Sequence, residues 1–240
     1  MKRIRIKFWL WLIALALTPI FIFAQPEPGV YLATQKTGAK NVQHLLLISD
    51  NYLIHSSYES NPAHFLGTSG GFYEMQEDNL IINLEFDSDY ANLESTSFSW
   101  SYGYVEGNLI LNGNEDLPYV QQSKVTQALD GQWLFATRGP DTGQERRGNQ
   151  SPRKTLKFLM DSYFQWIAYN SETFEFFGTG GGRYAGLDGT YTEVIEFFSR
   201  DDSRVGAELN FEFERLGNDW HHKGLNSKGE PLYEIWGIRE

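Results

Sequence analysis

The stretches Phe65-Leu-Gly-Thr-Ser-Gly-Gly-Phe-Tyr73 and Phe176-Phe-Gly-Thr-Gly-Gly-Gly-Arg-Tyr184 repeat one pattern 111 residues apart. At this constant offset, residues 43–88 overlay residues 154–199 without a gap. Such self-similarity predicts two copies of one fold in tandem, in which shared positions serve the scaffold. The identical pairs are Asp50/Asp161, Tyr52/Tyr163, Tyr58/Tyr169, Phe65/Phe176, Gly67/Gly178, Thr68/Thr179, Gly70/Gly181, Gly71/Gly182, Tyr73/Tyr184, Glu85/Glu196, Phe86/Phe197 and Ser88/Ser199.

The repeat extends beyond this overlay on both sides. Gly29 begins the first copy and Gly131 the second, a spacing of 102, so residues 139–153 form a longer loop in the second copy. The composition of this loop, rich in Gly, Pro, Asn and charged residues, is typical of an exposed excursion. We predict a first, divergent repeat over residues 29–121 and a second over residues 131–240.

Each copy shows a strand pattern rather than a helical one. Short runs of aromatic and β-branched residues alternate with turn sequences, and residues 208–214 alternate acidic or amide with apolar side chains. About eight short antiparallel strands fit a small barrel or a sandwich, and closure is the simpler way to remove sheet edges. The predicted strands of the second copy are residues 132–138, 155–160, 163–169, 174–177, 191–198, 205–216, 220–223 and 232–238. The glycine-rich stretch predicts a sharp bend or a close approach between strands.

The N-terminus has the layout of a secretory signal. Basic residues 1–7 (MKRIRIK) precede the apolar run 8–24 and the polar QPEP of residues 25–28. This predicts a signal peptide over residues 1–24, cleaved after Ala24, and an exported protein that is periplasmic, extracellular or envelope-associated. The alternative is an uncleaved segment that anchors the chain in the membrane, since 17 apolar residues reach the lower limit for a span.

Composition excludes several classes of function. The chain has no cysteine, which excludes disulfides, thiolate nucleophiles and cysteine-ligated metals. Its formal net charge is −11, and removal of the four basic residues within 1–24 leaves 16 − 31 = −15. Such an acidic protein is expected to repel nucleic acid. We find no nucleophile elbow, HExxH or dinucleotide fingerprint, and we expect no catalytic residue, metal or cofactor.

Polar residues of the second copy give the candidates for a ligand site. Alternation along residues 191–198 places one of Glu193 and Glu196 inward, and we take Glu196 as an anchor at the floor of a pocket. Its alternative is a structural carboxylate paired with Arg or Tyr. Arg200 and Arg204 stand where the first copy has Asp89 and Leu93, and could clamp an anion at a barrel mouth or form an exposed salt-bridged turn.

Aromatic residues and a histidine complete the candidate lining. His221 and His222 are adjacent on a strand and point to opposite faces, so they cannot chelate one metal together. His222 is our inward candidate, against a surface or a satisfied core histidine. Trp166 and Trp236 add a polar-aromatic character that is typical of small-molecule pockets, although such residues also simply fill barrels.

The second copy resembles a family through several motifs: residues 164–170 (FQWIAYN), 176–182 (FFGTGGG), 191–200 (YTEVIEFFSR), 204–206 (RVG) and 220–224 (WHHKG). It is similar, over roughly residues 131–239, to the uncharacterised "membrane or secreted protein" family of Bacteroidetes, a domain of unknown function among the lipocalin-like (calycin) barrels. The first copy matches only through its repeat relation. The resemblance implies an exported lipocalin-like barrel and carries no assigned activity.

The sequence therefore predicts an all-β chain of two tandem lipocalin-like antiparallel β-barrels, preceded by a signal peptide. Our first hypothesis is a non-enzymatic binding protein whose second barrel holds a small amphipathic or anionic ligand. The alternative is an envelope or surface protein-interaction module with solid barrels. A third hypothesis is an enzyme that uses His222 and Glu196 as an acid/base pair.

Overall fold

The computed structural model describes residues 25–226 and 229–239, and these residues form an all-β structure with two short 3-10 helices. The expected signal peptide, residues 1–24, lies outside the described residues. Within the described ranges, no helix has both the length and the apolarity needed to cross a bilayer.

Sixteen strands divide into two sheets of eight that follow each other along the chain. The first sheet contains β1 Gly29–Thr37, β2 Lys40–Ile48, β3 Tyr52–Ser60, β4 Ala63–Gln76, β5 Asn79–Asp87, β6 Ser97–Val105, β7 Asn108–Leu111 and β8 Val120–Gln121. The second contains β9 Gly131–Arg138, β10 Arg153–Met160, β11 Tyr163–Asn170, β12 Phe176–Leu187, β13 Thr190–Phe198, β14 Glu208–Leu216, β15 Asp219–Leu225 and β16 Pro231–Ile238. The 3-10 helices are Tyr90–Asn92 and Asp202–Arg204.

Both sheets are antiparallel meanders that curl into barrels. The second sheet is a closed barrel in the order β10-β11-β12-β13-β14-β15-β16-β9. The first has the order β7-β6-β5-β4-β3-β2-β1-β8, and a bridge between Leu109 and Tyr119 joins its two ends through reciprocal backbone hydrogen bonds of 3.0 and 2.9 Å. The prediction of two tandem antiparallel barrels of eight strands is confirmed.

Two of the strands predicted for the second copy differ from the observed ones by more than two residues at one end. The strand expected from residue 205 begins at Glu208, because Asp201 caps the 3-10 helix by accepting from the backbone N–H of Ser203, and Gly206 then adopts a φ of 87°. The strand expected over residues 174–177 begins at Phe176 and runs through the whole glycine-rich stretch to Leu187.

The glycine-rich strands lie opposite a β-bulge in both copies. Gly181 pairs with Phe197 but Gly182 pairs with Ile195, so the intervening Glu196 is an extra residue in β13. A Cβ on Gly182 would lie 2.1 Å from the carbonyl oxygen of Val194. The first copy repeats this bulge opposite its own glycine pair. The close approach predicted for this stretch is therefore present, and only glycine permits it.

Three apolar clusters form the core. One fills the first barrel and includes Leu46 and Tyr102, and another fills the second barrel and includes Trp133 and Trp220. The third contains residues of both copies and lies between the barrels. The outer face of each barrel is therefore buried against the other, which explains why neither copy shows a clean polar outer face there.

The contact between the barrels is approximately twofold symmetric. Tyr58 of the first copy stacks on Phe197 of the second, with ring centroids 4.7 Å apart. The equivalent residues with the copies exchanged, Tyr169 and Phe86, also contact each other, at 5.1 Å. Reciprocal contacts of this kind define an isologous interface, such as two identical subunits form.

Residues at the centre of this interface contact their own equivalents. The rings of Phe65 and Phe176 lie nearly parallel, with an interplanar angle of 8° and a distance of 6.4 Å between their centroids. The buried amide of Gln165 donates to the hydroxyl oxygens of Thr68 and Thr179, at 3.1 and 3.0 Å. Half of the identical pairs of the repeat, those of Tyr52, Tyr58, Phe65, Thr68, Glu85 and Phe86, are thus preserved where the copies meet.

Candidate ligand-binding cavity

The second barrel contains a cavity of about 420 Å³ that opens at the end where β9 finishes and β10 starts. Strands β9 and β10 pair only between Gly131–Leu134 and Leu156–Leu159, and they separate towards this end. The long loop after β9 returns here, where the backbone N–H of Arg147 donates to the carbonyl of Ala136 at 2.8 Å. The opening is therefore framed by the loop that distinguishes the second copy from the first.

Aromatic rings form the walls of this cavity. Phe135, Trp166 and Trp236 all line it, and Phe135 meets Trp236 edge to face with centroids 5.7 Å apart. The indole Nε1–H of Trp236 donates to Glu234 Oε2 at 3.2 Å, which fixes the ring orientation. The expectation that Trp166 and Trp236 share one pocket agrees with this arrangement.

An ion pair lies at the floor of the cavity. The Lys157 ammonium donates to Glu193 Oε1 at 2.7 Å, and the two side chains are only 7% and 6% exposed. The Tyr191 hydroxyl donates to the same oxygen at 2.8 Å. Lys157 Nζ also lies 5.0 Å from the ring centroids of Tyr191 and Trp220. Removing two charges from water costs free energy that offsets their attraction, so a buried ion pair contributes little to stability. This pair is more informative as a polar feature of a site.

Two guanidinium groups line the rim. Arg138 and Arg147 form no ion pair with any described carboxylate within 4.0 Å, and Arg147 lies 5.5 Å from the ring centroid of Phe135. Burial tends to raise the pKa of Glu234, but His222, Lys157 and Arg138 outweigh it and hold that pKa below its usual value. Three cations and two carboxylates therefore give the lining a charge of +3 − 2 = +1.

His222 points into the barrel behind this lining. It is 2% exposed, and the centroid of its ring lies 4.2 Å from the ring centroid of Phe211. Neither ring nitrogen has a hydrogen-bond partner among the described residues, and Nδ1 lies 3.6 Å from Glu234 Oε2. Burial and the nearby Lys157 charge lower the pKa of His222, which keeps the ring neutral. His221 points the other way, and its Nδ1 is 2.8 Å from the Tyr233 hydroxyl.

Glu196 does not line the cavity, which corrects the expected site. It lies on the outer face of β13, where its Oε2 accepts from the Tyr58 hydroxyl of the first barrel at 3.0 Å. Glu193 is the inward carboxylate instead. Because the barrel wall separates Glu196 from His222, the two cannot act as an acid/base pair.

Arg200 and Arg204 also lie outside the lining. Both are in the loop between β13 and β14, and the Nε of Arg200 donates to the carbonyl oxygen of Phe177 at 2.8 Å. Arg204 lies 5.9 Å from the ring centroid of Phe198, which in turn contacts Trp166 at 5.5 Å. Arg204 is therefore one side chain removed from the cavity, and Arg200 supports the loop.

The residues that sequence reasoning missed carry a signal in the repeat itself. At the offset of 111, Lys157 and Glu193 replace Leu46 and Ile82, which are fully buried inside the first barrel. A charged pair at two positions that are apolar in the other copy indicates a site specific to the second. Arg147 carries no such signal, because its loop has no equivalent.

Comparison with known proteins adds nothing to this geometry. No protein-family model matches the chain, and no curated protein matches it either. The resemblance to the Bacteroidetes family stays a prediction.

Proposed function

We propose that this protein is an exported, non-enzymatic binding protein whose second barrel takes a small amphipathic anion. The observation that carries the proposal is a pair of arginines, Arg138 and Arg147, at the rim of a cavity walled by tryptophan, with no ion-pair partner among residues 25–226 and 229–239. Guanidinium groups are suited to carboxylate, sulfate or phosphate groups, and the aromatic walls are suited to an apolar body.

Charge and volume both support this ligand class. The lining is net positive in a chain whose overall net charge is −11, so the cavity attracts anions that the rest of the surface repels. A volume of about 420 Å³ lies within the range of small-molecule pockets. The cavity in the second barrel favours this proposal over the alternative of an interaction module with solid barrels.

The anionic dye 8-anilinonaphthalene-1-sulfonate tests the proposal, with the neutral N-phenyl-1-naphthylamine as its matched analogue. We expect one molecule of the sulfonate to bind per chain, at least tenfold more tightly than the neutral amine, by fluorescence titration and calorimetry. Arg138→Gln and Arg147→Gln should each weaken sulfonate binding by roughly tenfold, equivalent to about 1.4 kcal/mol, and leave amine binding unchanged.

Arg215→Gln provides the control, because Arg215 bonds the Ala128 carbonyl and does not line the cavity. Equal affinities for the two dyes, or sulfonate binding that survives both rim substitutions, would contradict an anion site. Native mass spectrometry of the chain from a bacterial host, before and after denaturation, would show whether it carries a ligand.

A further inference from the structure

The first barrel has its own cavity, of about 230 Å³, with a different lining. His44 and His55 replace the residues that correspond to Thr155 and Trp166 in the second barrel. Both histidines point inward from neighbouring strands, with His44 Nδ1 3.2 Å from His55 Nε2. The Tyr119 hydroxyl lies 3.2 Å from the same His55 nitrogen. Three ring-borne polar atoms thus converge at one wall of this cavity.

Hydrogen bonding does not satisfy this cluster. An imidazole nitrogen offers either one proton or one lone pair in the ring plane, so His55 Nε2 forms one good hydrogen bond and has two neighbours at 3.2 Å. The second neighbour of this nitrogen therefore lies at hydrogen-bond distance without forming a good hydrogen bond to it. His44 Nε2 is also buried, and no protein atom bonds it.

The separations within the cluster resemble those around a metal ion. Bonds of about 2.1 Å at angles between about 90° and 109° place neighbouring ligand atoms roughly 2.9–3.4 Å apart. Two contacts of 3.2 Å fall within this interval. Small rotations of the two side chains would let both imidazoles coordinate one ion.

The barrel interior encloses both histidines. His44 Nε2 is buried, and the His55 ring meets Trp100 edge to face with centroids 5.7 Å apart. Metal ions are bound by the neutral form of imidazole. Asn112 and Asn114 line the same cavity and leave room for water as a further ligand.

We propose that the first barrel binds one divalent transition-metal ion, Cu²⁺ or Zn²⁺, through His44 and His55, with Tyr119 beside them. Imidazole ligands suit both ions, and Cu²⁺ should bind more tightly than Zn²⁺. No group of three or more His, Cys, Asp or Glu side chains suited to a metal occurs among residues 25–226 and 229–239, so a two-histidine site with open positions towards the cavity is the form expected.

Titration of Cu²⁺ and Zn²⁺ into the chain, purified without a histidine tag and stripped with a chelator, tests the proposal. We expect one ion per chain by calorimetry. His44→Gln and His55→Gln should each weaken Cu²⁺ binding by at least tenfold. His64→Gln is the matched control, because His64 is 58% exposed and paired with Asp202, and it should bind like the wild type.

Two measurements on proteins with intact histidines keep the test decisive if a histidine variant unfolds. Nitrogen-15 NMR of the imidazoles should show Zn²⁺ shifting the signals of His44 and His55 alone. Cu²⁺ should quench Trp100, whose ring lies 5.7 Å from His55, and Trp100→Phe should remove that part of the quenching. Binding no tighter than in the His44/His55 double variant, or shifts at His64 or His221 instead, would overturn the proposal.

Discussion

Glu85 and Glu196 occupy equivalent positions in the two copies, yet their carboxylates have different partners. Glu85 accepts from the hydroxyls of Tyr52 and Tyr169, at 2.9 and 2.7 Å, and from the Arg239 guanidinium at 2.8 Å. Glu196 accepts only from Tyr58. Burial raises the pKa of Glu196 despite that hydroxyl, so its ionised form is unfavourable in the folded protein. Duplication therefore preserved the residue while its environment diverged.

The two glutamates should respond oppositely to substitution by glutamine. Glu85→Gln weakens the charged hydrogen bonds around Arg239, and we expect a loss of about 2 kcal/mol in the free energy of unfolding. Glu196→Gln removes a disfavoured charge, and we expect a gain in stability at pH 7. Urea denaturation of both variants across pH 3.5–8 is the measurement.

The sign of the pH dependence follows from linkage. Because the folded-state pKa of Glu196 is above its ordinary value of 4.5, the folded protein binds the proton more tightly. Wild-type stability therefore falls as pH rises from that value through the folded pKa. The gain from Glu196→Gln should disappear at acid pH, where both states are protonated. A gain that does not change with pH would show that ionisation of Glu196 is not the cause.

At the scale of elements, the bulges in β5 and β13 decide which side chains reach the interface. In the simple alternation of β13, Tyr191, Glu193, Ile195 and Phe197 would share a face. The extra residue instead leaves Glu193 inside and turns Phe197 towards the first barrel. The glycine pairs opposite these bulges are shared by the copies because the strands approach too closely there for a Cβ.

Gly182→Ala should therefore be strongly destabilising. Its φ of 153° is unfavourable for alanine, and the added Cβ would lie 2.1 Å from the Val194 carbonyl oxygen. We expect a loss of about 3 kcal/mol or more, by chemical denaturation. Gly186→Ala is the control, since its Cβ would meet nothing closer than 3.8 Å and its backbone is unstrained. Equal effects of the two substitutions would argue against a steric role for the bulge.

At the scale of the whole molecule, the two barrels share one apolar core cluster. Their shared apolar cluster includes fully buried rings of both copies, such as Tyr52, Phe86 and Tyr169. Gln165 connects Thr68 and Thr179 across the same interface. Because half of the repeat identities lie here, the interface between the copies is one constraint on both sequences.

Tyr169→Ala should destabilise both barrels together. The substitution removes the ring contact with Phe86 and the hydrogen bond to Glu85, both in the first copy. We expect faster amide hydrogen exchange in β2 and β3 as well as in β10 and β11, by mass spectrometry. Tyr233→Ala, which removes a partly buried ring bonded to His221, should have a local effect. Loss of protection confined to the second barrel after Tyr169→Ala would show that the barrels unfold independently.

The sequence by itself determined the duplication, the all-β class, the number of strands and the close strand approach at the glycine pairs. These properties follow from local signals: a fixed offset, alternation along a strand and turn residues. It also made Trp166, Trp236 and His222 candidates for the lining of the second barrel, while it left open which of the two adjacent histidines faces inward.

Only the tertiary structure decided which polar residues share the cavity. Alternation puts Glu193 and Glu196 on opposite faces of β13, and closure of the barrel selects the face of Glu193 as the inner one. The bulge at Glu196 then turns Phe197 towards the first barrel. Arg147 reaches the rim from a loop whose path no periodic pattern specifies. Lys157 meets Glu193 across three strand pairings, and Tyr119, which precedes β8, reaches His55 of β3 only because the first sheet curls. Such contacts depend on register and closure, which are set by the packing of the whole chain.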